Sequence, residues 1–216
     1  MSTAEDRSPS PTAYVVDDDE SIRTLWRWLM ESNGIPVRTF ATAMEFIDSY
    51  NLGDPGCIVL DLRLPGMSGL ELQDYLRRRN IEIPVVFVTG HGDVPAAVSA
   101  LKGGAVDFIE KPFGYKHALA IIQKAFDQDA QIRRSRAHGE RISTLYASLT
   151  EREREVARRI AEGKVNRIIA QELGITMKTV EFHRARLMEK MKVTSVAELV
   201  QQLMQLDEPT TLPPLS

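Results

Sequence analysis

The 216-residue sequence predicts a doubly wound α/β domain built on a five-stranded parallel sheet, followed by a smaller all-α domain. Three observations carry that prediction. Between Ala13 and about Asp127, five short apolar runs alternate with segments of helical spacing. Three of those runs are nearly all apolar, as strands of a parallel sheet covered by helices on both faces must be. Residues 145–206 carry only helical periodicity, with Gly163 and Gly174 as natural stops.

Taken in order, residues 1–12 are rich in Ser, Thr, Pro and acids and read as a disordered tail. Tyr14-Val-Val predicts the first strand, and Ile22, Leu25, Trp26 and Leu29 define the apolar stripe of a helix over 20–33. Val37-Arg-Thr-Phe, Cys57-Ile-Val-Leu, Val85-Val-Phe-Val and Asp107-Phe-Ile supply four more strands, rich in β-branched and aromatic residues. Helices over 42–50, 68–79, 94–103 and 114–127 follow them, closing a domain over 13–127. Residues 128–144 are polar with little periodicity and read as a linker that can continue the last helix. Thr150, with acids in the next turn, opens a helix toward Ala161. Asn166–Leu173 forms a short helix, Gly174-Ile175 a turn, and Thr176 caps a helix through about Met191. A last helix covers about 195–206, and 207–216 form a second tail.

Composition narrows the class. Charged residues make up 26% of the chain and apolar ones 43%, which excludes disordered and fibrous classes. The longest wholly apolar runs fall far short of the ~18–20 residues a membrane span needs. The N-terminal residues carry acids and no apolar signal core, so a cytoplasmic location is expected. Cys57 is the only cysteine, which rules out a disulfide within the chain and any zinc site built on cysteine pairs. Its apolar neighbours make it a core residue. The formal net charge of −3 hides an asymmetry: residues 1–126 carry −5 and residues 145–206 carry +3. The two halves are therefore expected to do different work, the second against a polyanion.

The chemistry gathers at strand ends. The first strand runs into Asp17-Asp18-Asp19, the third ends at Asp61, the fourth at Thr89-Gly-His-Gly, and Glu110-Lys111-Pro112 follows the fifth. In a parallel sheet these ends share the edge where ligands bind. Carboxylates crowded there repel each other unless a cation sits among them, and Mg²⁺, a hard ion with oxygen ligands, suits them. A carboxylate beside Mg²⁺, with a lysine and a hydroxyl close by, makes a phosphoryl-transfer site. Asp61 can attack phosphorus while the metal and Lys111 offset charge on the equatorial oxygens. Singly, each residue has a plainer reading, as a helix cap or a solvated side chain. The matched set across four strand ends is what favours the site.

The stretches Val15-Val-Asp-Asp-Asp-Glu, Val59-Leu-Asp-Leu-Arg-Leu-Pro-Gly-Met-Ser-Gly, Val88-Thr-Gly-His-Gly-Asp and Gly104-Ala-Val-Asp-Phe-Ile-Glu-Lys-Pro-Phe resemble receiver domains of two-component response regulators. The resemblance covers roughly residues 12–127. It implies that Asp61 is the phosphoacceptor and that Asp17 and Asp18 hold Mg²⁺ (or Mn²⁺) with Asp61 and the carbonyl of Arg63. It further implies that Lys111 pairs with the phosphoryl group, that Thr89 hydrogen-bonds it and shifts inward, and that the rotamer of Phe108 follows. The Lys111–Pro112 bond is expected to be cis, as in many receivers. His91 and Arg63 flank the phosphoryl position and either tune its lifetime or stand as exposed loop side chains. Trp28, off the core stripe, reads as edge packing more readily than as a kinase contact.

In the helix over 176–191, Val180, Leu187 and Met191 share one face, and Lys178, Phe182, Ala185 and Arg186 the other. Two helices joined by a tight turn containing Gly make a helix-turn-helix, whose second helix enters the major groove. Leu149-Thr-Glu-Arg-Glu-Arg-Glu-Val, Gly163-Lys-Val-Asn-Arg-Ile-Ile-Ala-Gln-Glu-Leu-Gly-Ile and Lys178-Thr-Val-Glu-Phe-His-Arg-Ala-Arg-Leu-Met-Glu-Lys-Met resemble the LuxR-type DNA-binding domain, over about 145–206. Together the two halves are similar to response regulators of the FixJ/NarL type. By that resemblance Lys178, Thr179, Phe182, Arg184 and Arg186 contact DNA, and the last helix makes a dimer contact. Lys190 and Lys192 read equally well as phosphate clamps or as a solvated helix end.

The expected function is a phosphorylation-activated transcription regulator. Its implied partners are a sensor histidine kinase, double-stranded promoter DNA and a second copy of the chain, with RNA polymerase as a further one the resemblance allows. Two other readings stay open. Asp17-Asp18-Asp19 contains the D-x-D pattern of a Mg²⁺-dependent phosphohydrolase, with Asp17 as nucleophile and Asp19 as acid. A regulator controlled by protein contacts alone, without phosphorylation, is the third.

Overall fold

The computed structural model describes residues 10–90, 98 and 100–207. Five strands, β1 (Thr12–Val16), β2 (Val37–Phe40), β3 (Gly56–Asp61), β4 (Val85–Thr89) and β5 (Asp107–Glu110), pair in parallel in the order β2-β1-β3-β4-β5. Between them lie α1 (Glu20–Ser32), α2 (Ala43–Ser49) and α3 (Gly69–Arg78). Helical residues 98 and 100–102 belong to α4, whose earlier expected turns, with His91, lie outside the described residues.

The period of two sorts the strands' side chains onto two faces. Ala13, Val15, Cys57, Val59, Val86, Val88 and Ile109 pack with Trp26, Leu29 and Met30 of α1 and with Ile121, Ile122 and Ala125. Tyr14, Val16, Ile58, Leu60, Val85 and Phe87 pack on the other side with Phe46 of α2, Leu72 and Leu76 of α3 and Ala100. Burial on both faces is why the central runs read as unbroken apolar stretches. It also raises the pKa of the Cys57 thiol, in keeping with an inert core residue.

The interval 128–144, read above as a linker, is helical throughout: α5 is one helix, Tyr115–Ala147. Thr12 and Asp207, assigned above to the tails, instead belong to β1 and to the last helix. The expected edge packing of Trp28 takes the form of a T-shaped contact with Tyr115, ring centroids 5.7 Å apart.

The chain divides into two compact units, Met1–Arg133 and Arg134–Ser216. The second contains α6 (Glu151–Ala161), α7 (Asn166–Leu173), α8 (Met177–Met191) and α9 (Val196–Asp207). Its core joins Ile142 to Val156, Ile160, Ile169, Val180, Leu187, Met191 and Leu199. Thr150 and Glu153 close a capping box on α6, and Gly174 ends α7 in the left-handed conformation at φ 64°. No helix among the described residues is long and apolar enough to cross a membrane.

Candidate functional site

The triple acid after β1 divides its labour. Arg23 of α1 donates to the carbonyls of Asp17 and Asp18, at 2.7 and 2.8 Å, and fixes the loop. Asp19 is the N-cap of α1: its carboxylate accepts from the Ser21 N–H at 2.8 Å, which lowers its pKa. Its carboxylate is thus engaged at the start of α1, which disfavours its use as the acid of the D-x-D phosphohydrolase reading. Asp17 is 2% exposed. Burial raises its carboxyl, against the opposing pull of Lys111 and of the Asp19 N–H, which donates at 2.9 Å.

Asp61 ends β3 with both oxygens engaged. One accepts from the Arg63 N–H at 3.0 Å, the other from Lys111 Nζ at 2.7 Å. Lys111 reaches the site from the end of β5, where its own N–H donates to the Thr89 carbonyl at 2.7 Å and the bond to Pro112 is cis. Its ammonium also donates to Asp17 at 2.8 Å. Burial alone would lower the Lys111 pKa, but the two carboxylates outweigh it and raise it. Oxygens of Asp17, Asp18 and Asp61 lie within 4.8 Å of one another. Thr89 is buried and donates to the Gly90 carbonyl at 2.8 Å, and Phe108 is 38% exposed. The fold thus gathers Asp17, Asp18, Asp61 and Lys111 at one edge, with Thr89 at the end of the adjoining strand.

Gly69, the first residue of α3, closes the Val59–Gly69 stretch quoted above, which gave it no role of its own. A Cβ there would stand 2.3 Å from the Asp61 carbonyl oxygen and 3.1 Å from the Phe87 ring. Its N–H donates to the Leu62 carbonyl at 3.1 Å, so the start of α3 closes directly on the loop that presents Asp61.

In the second unit, the five DNA-contact candidates of α8 do not share one face. Lys178, Phe182 and Arg186 are exposed together, and the Arg186 guanidinium lies 5.9 Å from the Phe182 ring centroid. Thr179 belongs to the N-cap: its N–H donates to the Thr176 hydroxyl at 3.1 Å. Arg184 points elsewhere, donating to Asn166 at 3.0 Å and strapping α8 to the first turn of α7. Arg167, which sequence reasoning passed over, is exposed in that same first turn. The N-cap there, Val165, makes no side-chain hydrogen bond, which leaves N–H donors for an anion. A basic first turn without a Ser, Thr, Asp or Asn cap was the available signal.

Neither reading of Lys190 holds: it forms an ion pair with the buried Glu153 at 2.7 Å. Burial alone would raise the Glu153 carboxyl, but Lys190 and Thr150 outweigh it and hold it below the ordinary range. Lys190→Met is expected to destabilise this unit by about 1–3 kcal/mol near neutral pH, measured by urea unfolding. Because the folded pKa of Glu153 is lowered, its contribution is present above its unfolded value, near 4.3, and is lost as pH falls through the folded one. The gap between variant and wild type should therefore narrow below about pH 4; a constant gap would exclude the pair as its source.

Comparison with known proteins agrees with this geometry. Residues 13–123 match the response regulator receiver domain, and residues 147–203 match the bacterial regulatory proteins of the luxR family. The chain is 42% identical over 187 residues to the transcriptional regulatory protein FixJ of Azorhizobium caulinodans, covering 87% of this chain and 89% of that protein. It is 40% identical over 190 residues to the response regulator protein TodT of Pseudomonas putida, covering 87% and 82%. Among solved structures it is similar to response regulator StyR, with a TM-score of 0.81 and 42% identity over 91% of this chain and all of that one. Full-length FixJ from B. japonicum matches with a TM-score of 0.56 and 39% identity, covering 91% and 97%. The chain belongs to the two-component response regulators, as a transcription regulator that joins a receiver domain to a LuxR-type DNA-binding domain.

Proposed function

We propose that this regulator is switched by a phosphoryl group that Asp61 takes from the phosphohistidine of a sensor histidine kinase. The observation that carries the reading is the Lys111 ammonium held between Asp17 and Asp61, with an Asp18 oxygen close by. The donor set fits a hard divalent cation, since three carboxylates converge and the exposed Asp18 leaves room for water ligands. Asp17, Asp18 and Asp61, with the Arg63 carbonyl, would hold Mg²⁺ or Mn²⁺, which when bound offsets charge on the transferring oxygens.

A carboxylate oxygen of Asp61 forms the new O–P bond as the P–N bond of phosphohistidine breaks, and the electron pair leaves on the imidazole nitrogen. The Arg63 N–H and Lys111 fix the plane of the attacking carboxylate, and Lys111 then pairs with the phosphoryl oxygens. The Thr89 hydroxyl exchanges the Gly90 carbonyl for a phosphoryl oxygen, and Phe108 turns inward behind it. The face built from α4, β5 and α5 then pairs two copies, bringing two DNA-binding domains to half-sites one helical turn apart. A shift from mostly inactive to mostly active requires the phosphoryl group to favour the active state by about 5 kcal/mol. RNA polymerase is the partner such a promoter-bound dimer would engage.

Mass spectrometry after incubation with acetyl phosphate and Mg²⁺ tests the acceptor role, with one phosphoryl group expected on the peptide containing Asp61. An unmodified chain would overturn it. On the DNA side, Lys178, Phe182 and Arg186 form the surface that enters the groove, and Arg167 with the first turn of α7 meets backbone phosphate. Arg186→Ala is expected to weaken binding and lower the slope of log affinity against log salt by about one. An unchanged slope would remove Arg186 from the phosphate contacts.

A further inference from the structure

The buried stripe that holds α5 to the sheet runs Ala118, Ile121, Ile122, Ala125 and Phe126, and the next position on it is not apolar but Asp129, 5% exposed. Its carboxylate accepts from the N–H of Gly56, 73 residues away in the sequence, at 3.1 Å. Gly56 passes so close to β1 that a Cβ would meet the Thr12 carbonyl oxygen at 2.1 Å and the Tyr14 ring at 2.9 Å. Only glycine fits where this N–H meets the helix, and an apolar side chain in place of Asp129 would leave the N–H buried and unpaired.

One turn further on, Arg133 donates to the carbonyl of Gly53, a residue at φ +92°, and its Nε lies 3.9 Å from the Asp129 carboxylate. Burial raises the pKa of the Asp129 carboxyl, against the opposing pull of the Gly56 N–H and of Arg133. The last apolar anchor of α5 on this unit is Phe126, and the unit ends at Arg133. Beyond Phe126 the helix has no apolar anchor in the core of this unit, so polar contacts must hold it there.

We propose that Asp129 and Arg133 form a clasp that fastens α5 to the loop before β3, and that as positioning residues they couple the receiver's state to the helix continuing into the DNA-binding unit. The clasp is a claim about structure alone. Its coupling role rests on the reading of Asp61 given above.

Two measurements on the full chain separate these claims. In amide hydrogen exchange, residues 127–141 of Arg133→Ala and Asp129→Ala should exchange about tenfold faster or more than in wild type, with β1, β4 and the part of β3 beyond Gly56 unchanged. Asp129→Asn, whose amide oxygen still accepts from Gly56, should stay close to wild type and covers the case in which Asp129→Ala fails to fold. Unchanged exchange in Arg133→Ala, or in a folded Asp129→Ala, overturns the clasp.

The second measurement takes a short duplex selected from a random-sequence pool by acetyl-phosphate-treated wild type, and compares its affinity with and without acetyl phosphate and Mg²⁺. Arg133→Ala should take up phosphoryl as wild type does, while the ratio of the two affinities falls toward one. A wild-type ratio in this variant overturns the coupling role. If wild type itself shows no ratio, the phosphorylation reading fails and the coupling role falls with it, while the exchange result still decides the clasp.

Discussion

Asp61→Asn is expected to stop phosphoryl uptake, with incorporation from acetyl phosphate and Mg²⁺ falling about 10³-fold or more. The amide lacks the anionic oxygen that must bond to phosphorus, yet its shape matches the carboxylate. Its carbonyl can still accept from the Arg63 N–H, which now donates to Asp61 at 3.0 Å. Lys111 keeps Asp17 as a partner at 2.8 Å, and the variant relieves the charge with which Asp61 raises the Asp17 carboxyl. The thermal midpoint should therefore sit at or slightly above that of wild type. The combination of an intact or firmer fold with absent chemistry distinguishes an acceptor from a structural acid. Retained uptake would mean that another carboxylate is the acceptor, and a collapsed fold would mean that Asp61 is mainly structural.

Gly69→Ala should do the reverse, damaging the fold and the site together. The added methyl would begin 2.3 Å from the Asp61 carbonyl oxygen and 3.1 Å from the Phe87 ring. The first of these is backbone and cannot rotate away, so either α3 or the loop that presents Asp61 must shift. A loss of about 2–4 kcal/mol in urea unfolding is expected, with phosphoryl uptake slowed as the Asp61 carboxylate leaves its place beside Lys111. The same chemical change at Gly139, inside α5 with nothing within 4 Å of the added methyl, should instead stabilise by about 0.5–1 kcal/mol. Equal effects at the two positions would show that close approach to Asp61 is not the reason position 69 holds glycine.

The fold was legible because burial is periodic. Val85–Val88 is apolar at every position since β4 is covered on both faces, and Val180, Leu187 and Met191 recur at helical spacing since one side of α8 faces a core. The site was legible for a related reason: in a parallel sheet the ends of strands share one edge. Asp17, Asp61, Thr89 and Lys111 could thus be placed together before any coordinates. The helical course of 128–144 was hidden by its polar composition. The apolar positions packed in the first unit end at Phe126, those of the second begin at Ile142, and the residues between are mostly polar. No single period crosses the interval, so it read as aperiodic.

By itself, the order of residues determined the strands and the helices outside 128–144, which of their faces are apolar, and which acids and which lysine crowd the sheet edge. Tertiary structure alone decided what each polar side chain holds: Asp19 caps α1 while Asp17 faces Lys111, Arg184 straps α7, Lys190 neutralises Glu153, and Asp129 meets Gly56. The physical reason is one of range. Apolar burial follows a local repeat that any stretch of chain displays, whereas a hydrogen bond or ion pair needs one particular donor within about 3 Å of one particular acceptor. For partners far apart in the chain, only the completed fold sets that distance.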